Sequence, residues 1–243
     1  MNLIIASINF WGLPWPLSIN KNKRLNNLIA IIKQYDFDVV AMQEMWLTYD
    51  INKIKKFLPS YHVTTVNNTF FNFSGLVTLT KLKVNNKAFL PFTKLGLHKE
   101  FFTKKGLLST EIKINNQAIK ILNTHLFFPR SKKQDKTLNL QLSQLNKYLG
   151  NNPTILSGDF NTKYSLLNLK PNYKNISNID GVSLDINNKF STRGLNIINE
   201  DVICPDIIIA NFNVSIVRNQ ILKKPIISDH YMTTSEININ SVK

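Results

Sequence analysis

Cysteine, acidic residues and long apolar runs are all scarce in this sequence. A single cysteine, Cys204, in 243 residues cannot close an intramolecular disulfide, so the fold owes nothing to an oxidising compartment. Its setting, Val202-Ile203-Cys204-Pro205, predicts a buried thiol. No apolar stretch approaches the ~20 residues that span a bilayer. The amino terminus, Met1-Asn2-Leu3-Ile4-Ile5-Ala6, has no basic lead-in and soon meets Asn9 and Pro14, so it reads poorly as a signal peptide. The expected location is cytoplasmic, or peripheral to a membrane.

Only 15 Asp and Glu face 30 Lys and Arg, a formal charge of +15 with a pI near 9.8. That excess draws a protein toward polyanions, and nucleic acid and anionic membrane are both candidates. Lysine scattered among Asn and Ile is equally what an AT-rich genome writes with no binding role. With 43% hydrophobic residues and a mean hydropathy of -0.12, the composition excludes a disordered or collagen-like chain. No internal repeat, linker or composition break interrupts it, so one domain over 1–243 is expected. Nothing points to a protein partner, and a monomer is expected.

Apolar periodicity supplies the elements. Leu3 to Asn9 reads as a buried strand, and Trp11-Gly12-Leu13-Pro14-Trp15-Pro16 as a loop, because two prolines interrupt it. Leu25, Leu28, Ile29 and Ile32 recur at helical spacing before a second apolar run, Phe37 to Met42. Leu107–Ile114 and Ala118–Thr124 flank Asn115-Asn116, a pair that tolerates the positive φ of a tight hairpin. Leu138, Leu142, Leu145 and Leu149 predict another helix leading into a strand at Thr154–Ser157, and further strands open at Asp206 and after His230. The polar, Asn-rich segment from Lys163 to Glu200 reads as long loops over one face.

Polar residues stand where the apolar strands end: Asn9, Glu44, His125, Asp159, Asn161, Asp206, Asp229 and His230. Singly, a carboxylate after a strand is more often a cap or turn residue than a ligand. Together, Gln43-Glu44, Asn123-Thr124-His125-Leu126, Ser157-Gly158-Asp159-Phe160-Asn161, the isolated Asp206 and Ser228-Asp229-His230 resemble the endonuclease/exonuclease/phosphatase superfamily, in its order and over nearly the whole chain. The resemblance implies an α/β fold, a four-layer sandwich of two mainly antiparallel sheets flanked by helices. It also implies a Mg2+-dependent phosphodiester hydrolase, with Mn2+ or another divalent cation as alternatives.

The residues suit that chemistry. Glu44 is a hard oxygen ligand for Mg2+, and Asp229 joins it as a metal ligand by resemblance, with Asn9 beside them supporting metal or phosphate. Asp159 and Asn161, two apart in extended chain, face one side. The resemblance pairs Asp206 with His230, fixing its tautomer and favouring the charged imidazole. His125 is expected to donate to a nonbridging phosphoryl oxygen. Either Asp159 or His230 could take the proton from the attacking water; an ordinary pKa of ~6.5 favours His230. Lys105 reads either as a phosphate ligand or as an exposed loop lysine, while His62 and His98 match no motif and are assigned to surface or core packing.

Asn9-Phe10-Trp11-Gly12-Leu13-Pro14 and Gln43-Glu44-Met45-Trp46, with Gly75–Lys81 and Lys105-Gly106-Leu107-Leu108, are most similar to the neutral sphingomyelinase branch. A sphingomyelinase-like phospholipid phosphodiesterase acting at a phospholipid membrane surface is therefore expected. Trp15, and Phe101-Phe102 between Lys99 and Lys104-Lys105, suit a lipid headgroup layer, or close over the core instead. Phe70, Phe71 and Phe73 are expected in the core. Two other classes stand beside this one: a nuclease, favoured by the charge, and a noncatalytic binding module of the same fold. Many nucleases of the superfamily carry Arg before and Tyr after the aspartate matching Asp206; here the segment is Cys204-Pro205-Asp206-Ile207, which puts nuclease-type contacts in doubt.

Overall fold

A computed structural model describes residues 1–66, 70–93, 103–129, 135–177, 181–185, 188, 190 and 204–239. The elements run β1 (Asn2–Asn9), α1 (Lys21–Tyr35), β2 (Val39–Gln43), α2 (Thr48–Phe57), β3 (His62–Thr65), β4 (Val77–Thr80), β5 (Val84–Pro91), β6 (Gly106–Ile114), β7 (Gln117–His125), α3 (Asp135–Tyr148), β8 (Thr154–Asp159), β9 (Lys174–Asn175), β10 (Asp206–Ala210), β11 (Val214–Leu222) and β12 (Met232–Ile239). They form two six-stranded sheets, ordered β11-β12-β1-β2-β4-β3 and β5-β6-β7-β8-β10-β9. Most neighbours are antiparallel; β1–β2 and β7–β8 are parallel, each pair joined through a helix.

Side-chain alternation explains why four layers form. On β1, Leu3 and Ile5 pack between the sheets with Ile112, Ile121, Ile155 and Ile208, while Ala6 and Ile8 turn outward onto Leu25, Leu28 and Ile32 of α1 and Ile51 and Ile54 of α2. On β10, Ile208 faces the other sheet and its neighbours Ile207 and Ile209 face Leu138, Leu142 and Leu145 of α3. Central strands covered on both faces read as unbroken apolar runs. This is the four-layer α/β sandwich expected from the sequence.

The hairpin turn behaves as its residues require, with Asn115 at φ 50° and Asn116 at φ 63°. Two expectations fail. Phe70 is 90% exposed and Phe73 42%: they belong to the chain leading into β4, where the backbone carbonyl of Phe70 is tied to the Thr48 N–H and the rings point outward. Only Phe71, stacked on Trp46 with centroids 5.9 Å apart, is partly enclosed. Cys204 is half-buried rather than buried, standing just before β10. No described helix is long and apolar enough to cross a membrane.

Candidate active site

Strand register assembles the site. Asp159, closing β8, lies opposite His125 of β7 and opposite Asp206 of β10, so three adjacent strands deliver three polar side chains to one edge. From the other sheet, Asn9 of β1 pairs in register with Gln43 of β2, which sets Glu44 one residue further on. The inter-sheet space beneath turns polar: Gln43 Nε2 donates to Asn123 Oδ1 at 2.8 Å, and Asn123 Nδ2 donates to the carbonyls of Met42 (3.1 Å) and Val77 (2.9 Å). The β7–β8 approach needs a glycine, because a Cβ on Gly158 would stand 2.0 Å from the Thr124 carbonyl oxygen.

Asn9 joins the two halves. Its amide nitrogen donates one hydrogen to Glu44 Oε1 at 3.1 Å and the other to Asp159 Oδ2 at 2.9 Å, and its oxygen accepts from the Trp11 N–H. His125 Nε2 lies 3.6 Å and His230 Nε2 3.9 Å from that same Asp159 Oδ2. His230 Nδ1 bonds Asp206 Oδ2 at 2.8 Å, and Ser183 Oγ donates to the same oxygen at 2.7 Å. The Asn161 N–H donates to Asp159 Oδ1, its amide to the Leu126 carbonyl. Lys105 is no exposed loop lysine: half-buried, it donates to the carbonyls of His125 (3.3 Å) and Leu126 (2.8 Å).

Electrostatics separates the groups. Burial, with the neighbouring Asp229 charge, raises the Glu44 carboxyl above the usual range, against hydrogen bonds from Asn9 and Trp46 and the charge of Lys105. Burial also lifts Asp159, to about 6, opposed chiefly by His230. For His230 burial disfavours the charged ring, but Asp206, through charge and hydrogen bond, together with Asp159 and Asp229, carries its pKa well above ordinary. His125 moves the other way, driven down by burial and then by Lys105 and His230.

Two groups of ligands fit a divalent cation. The charge of Asp229 raises the cost of ionising Glu44, a repulsion that a divalent cation relieves. Asp159, Asp206 and His230 present ligand atoms within 4.8 Å of one another, and Asp206 Oδ1 is a buried oxygen without a hydrogen-bond partner. The Asp206–His230 hydrogen bond already uses the facing atoms of that cluster.

All eight strand-end residues named from the sequence, with Lys105, converge here. Three others went unnoticed. Ser183 holds Asp206, and Asn188 donates to the carbonyls of Ser228 (2.9 Å) and Asp229 (3.1 Å); both lie in the Asn-rich segment read as loops, where no periodicity marks them. Arg24 sits inside an amphipathic helix. Phe101, Phe102, Lys99 and His98 fall outside the described residues, and His62 is an exposed strand residue.

Two sheets thus bring acids, histidines and asparagines to one edge of the sandwich, across a sheet–sheet seam. The chain matches the Endonuclease/Exonuclease/phosphatase family over residues 6–197 and belongs to it. It is 27% identical over 177 residues to inositol phosphosphingolipids phospholipase C of Schizosaccharomyces pombe, a match that covers 65% of this chain and 41% of that protein; the chain thus spans under half of that relative's length. Sphingomyelinase C from Streptomyces griseocarneus superposes with a TM-score of 0.75 at 13% identity, covering 98% of this chain and 100% of that one. TDP2 from D. rerio, complexed with single strand DNA product, gives 0.75 at 18%, covering 98% and 99%. At such identities the structural matches establish the fold.

Proposed function

We propose that the protein is a Mg2+-dependent phosphodiesterase of sphingomyelinase type, which hydrolyses a membrane phospholipid to release its phosphorylated headgroup. The observation that carries the hydrolytic part is the convergence of His125 Nε2 and His230 Nε2 on one oxygen of Asp159, itself tethered to Glu44 through Asn9. Glu44 and Asp229 are the residues to hold the cation, which supplies Lewis-acid polarisation and charge neutralisation when bound.

In this reading Asp159, lifted to about 6 by burial, takes the proton of the attacking water, reversing the preference for His230 drawn from sequence. A histidine kept cationic by Asp206 suits hydrogen-bond donation to a phosphoryl oxygen as charge develops there. His125 Nε2 approaches the same Asp159 oxygen as His230, and Asn161 anchors the Asp159 loop through its N–H and the Leu126 carbonyl. Water oxygen bonds to phosphorus, the phosphorus–alcohol bond breaks, and the alcohol leaves with a proton.

A lipid substrate is supported by the rim. Trp15 (82% exposed), Phe70 (90%) and Phe73 (42%) lie on connections after β1 or before β4, and Tyr49 (71%) opens α2 just after β2, the end at which the site forms. Exposed aromatic rings on a strongly basic protein suit a headgroup layer. The name of the S. pombe relative points the same way. A nuclease is favoured instead by the +15 charge; it requires polynucleotide binding that weakens steeply with salt. Sphingomyelin vesicles with Mg2+ should release phosphocholine, and chelator should abolish the release. No release, with robust cutting of DNA in the same buffer, would overturn the lipid assignment.

A further inference from the structure

Arg24 is a cation in the interior, 1% exposed, and among the described residues it makes no ion pair. All five of its guanidinium hydrogens are nonetheless used. Nε donates to the Ile19 carbonyl at 2.9 Å; Nη1 to the carbonyls of Phe10 (2.6 Å) and Ile227 (3.2 Å); Nη2 to the Trp11 carbonyl (3.0 Å) and Ser18 Oγ (3.2 Å). The rings of Phe10, Trp11 and Phe190 lie 5.0, 5.1 and 5.6 Å from the guanidinium carbon. One turn along α1, Asn27 reaches the Ile226 carbonyl at 3.4 Å.

The segments so joined are those that carry the site. Phe10 and Trp11 continue directly from Asn9, and Ile227 directly precedes Ser228-Asp229-His230. Burying a cation is costly unless its donors are satisfied, and burial lowers the Arg24 pKa only to about 10, held up by Asp229, Glu44 and Asp50; the group is charged at neutral pH. A planar fork serves five acceptors in three stretches of chain at once, which the three hydrogens of an ammonium cannot.

We infer that Arg24 is a positioning residue of the hydrolytic centre: its fork sets the Ser228–His230 segment against Asn9–Trp11, and so fixes His230 and Asp229 relative to Asn9 and Glu44. The inference rests on the hydrolase reading for its kinetic consequence, though not for its geometric one. It is tested with R24Q and R24K, using thermal melting, turnover of bis(p-nitrophenyl) phosphate with Mg2+, and the downfield ring N–H proton expected of His230 when bonded to Asp206. With 4 histidines in the chain that resonance can be assigned by substitution.

Both variants should melt cooperatively, lose at least about tenfold in kcat with KM changed less than about threefold, and lose or broaden the His230 resonance. Unchanged kcat and an unchanged resonance in R24Q would overturn the inference. So would restoration of parental kcat by R24K, since charge without the fork would then suffice, or failure of both variants to fold, which would leave a structural role alone. Should the parent turn over no phosphodiester while R24Q still disturbs the His230 resonance, the hydrolase reading fails and the positioning role stands.

Discussion

Two histidines flank one oxygen of Asp159 and titrate in opposite directions. His230 shares Asp206 and is held cationic; His125, beside Lys105 and His230 and without a carboxylate as close as Asp206 is to His230, is driven neutral. If the deprotonated form of Asp159 and the charged form of His230 are both required, rate must rise as pH climbs through about 6, where Asp159 ionises, and fall once pH exceeds the elevated His230 value. A bell-shaped kcat profile is expected. In D206N the burial of His230 goes unopposed by its main partner, so the alkaline limb should shift to lower pH. A rate that keeps rising through neutrality would instead make neutral His230 the base. Replacing His125 by Ala should cost about 10²- to 10³-fold in kcat, measured on the same substrate. The identity of these residues was legible in the sequence because each ends an apolar run, and the resemblance already implied a charged His230 paired with Asp206; the neutral His125 was not legible, since it arises from burial and from Lys105 and His230, which only the folded chain brings near.

Elements were legible in proportion to their burial. Central strands β1, β8 and β10 are apolar on both faces, and α1 and α3 show Leu and Ile at helical spacing, so all were read with near-correct bounds. The strands missed are the edges. Along β5 and β11 most positions are exposed or half-exposed, Lys83-Val84-Asn85-Asn86-Lys87 and Val217-Arg218-Asn219-Gln220 among them. Polar edge strands resist edge-to-edge pairing with other chains and leave no apolar alternation to read. The α2 helix was missed because it buries only Asp50, Ile51 and Ile54. Gly158 is the element-scale constraint with the clearest test: the 2.0 Å approach of its would-be Cβ to the Thr124 carbonyl should make G158A less stable by about 2–3 kcal/mol, read from the denaturant midpoint. Because β8 carries Asp159, activity should fall as well.

For the whole molecule, sequence and structure divide the work differently. The superfamily order of motifs spans both sheets, so the sandwich followed from the resemblance; the surface did not. Phe70 and Phe73 were read as preceding a strand and assigned to the core; they do lie on the connection into β4, but exposed, as is Trp15. If this rim meets lipid, W15A/F70A should sediment less with sphingomyelin vesicles than the parent, by about fivefold or more in partition coefficient, as loss of two buried rings implies. Equal sedimentation would remove the rim from the lipid assignment. Nonspecific attraction through the +15 charge should in turn weaken as ionic strength shortens the Debye length, leaving the aromatic contribution in place.

The lipid and nucleic acid readings share one claim, that Glu44, Asp159 and His230 form a single cation-dependent centre. Mg2+ titrations of bis(p-nitrophenyl) phosphate hydrolysis by the parent, E44Q and H230Q test it without presupposing either natural substrate. Saturable Mg2+-dependent turnover by the parent, abolished by chelator and reduced at least about 100-fold in both folded variants, is the result expected. Turnover that ignores Mg2+, or that either variant sustains at the parental rate, would contradict it.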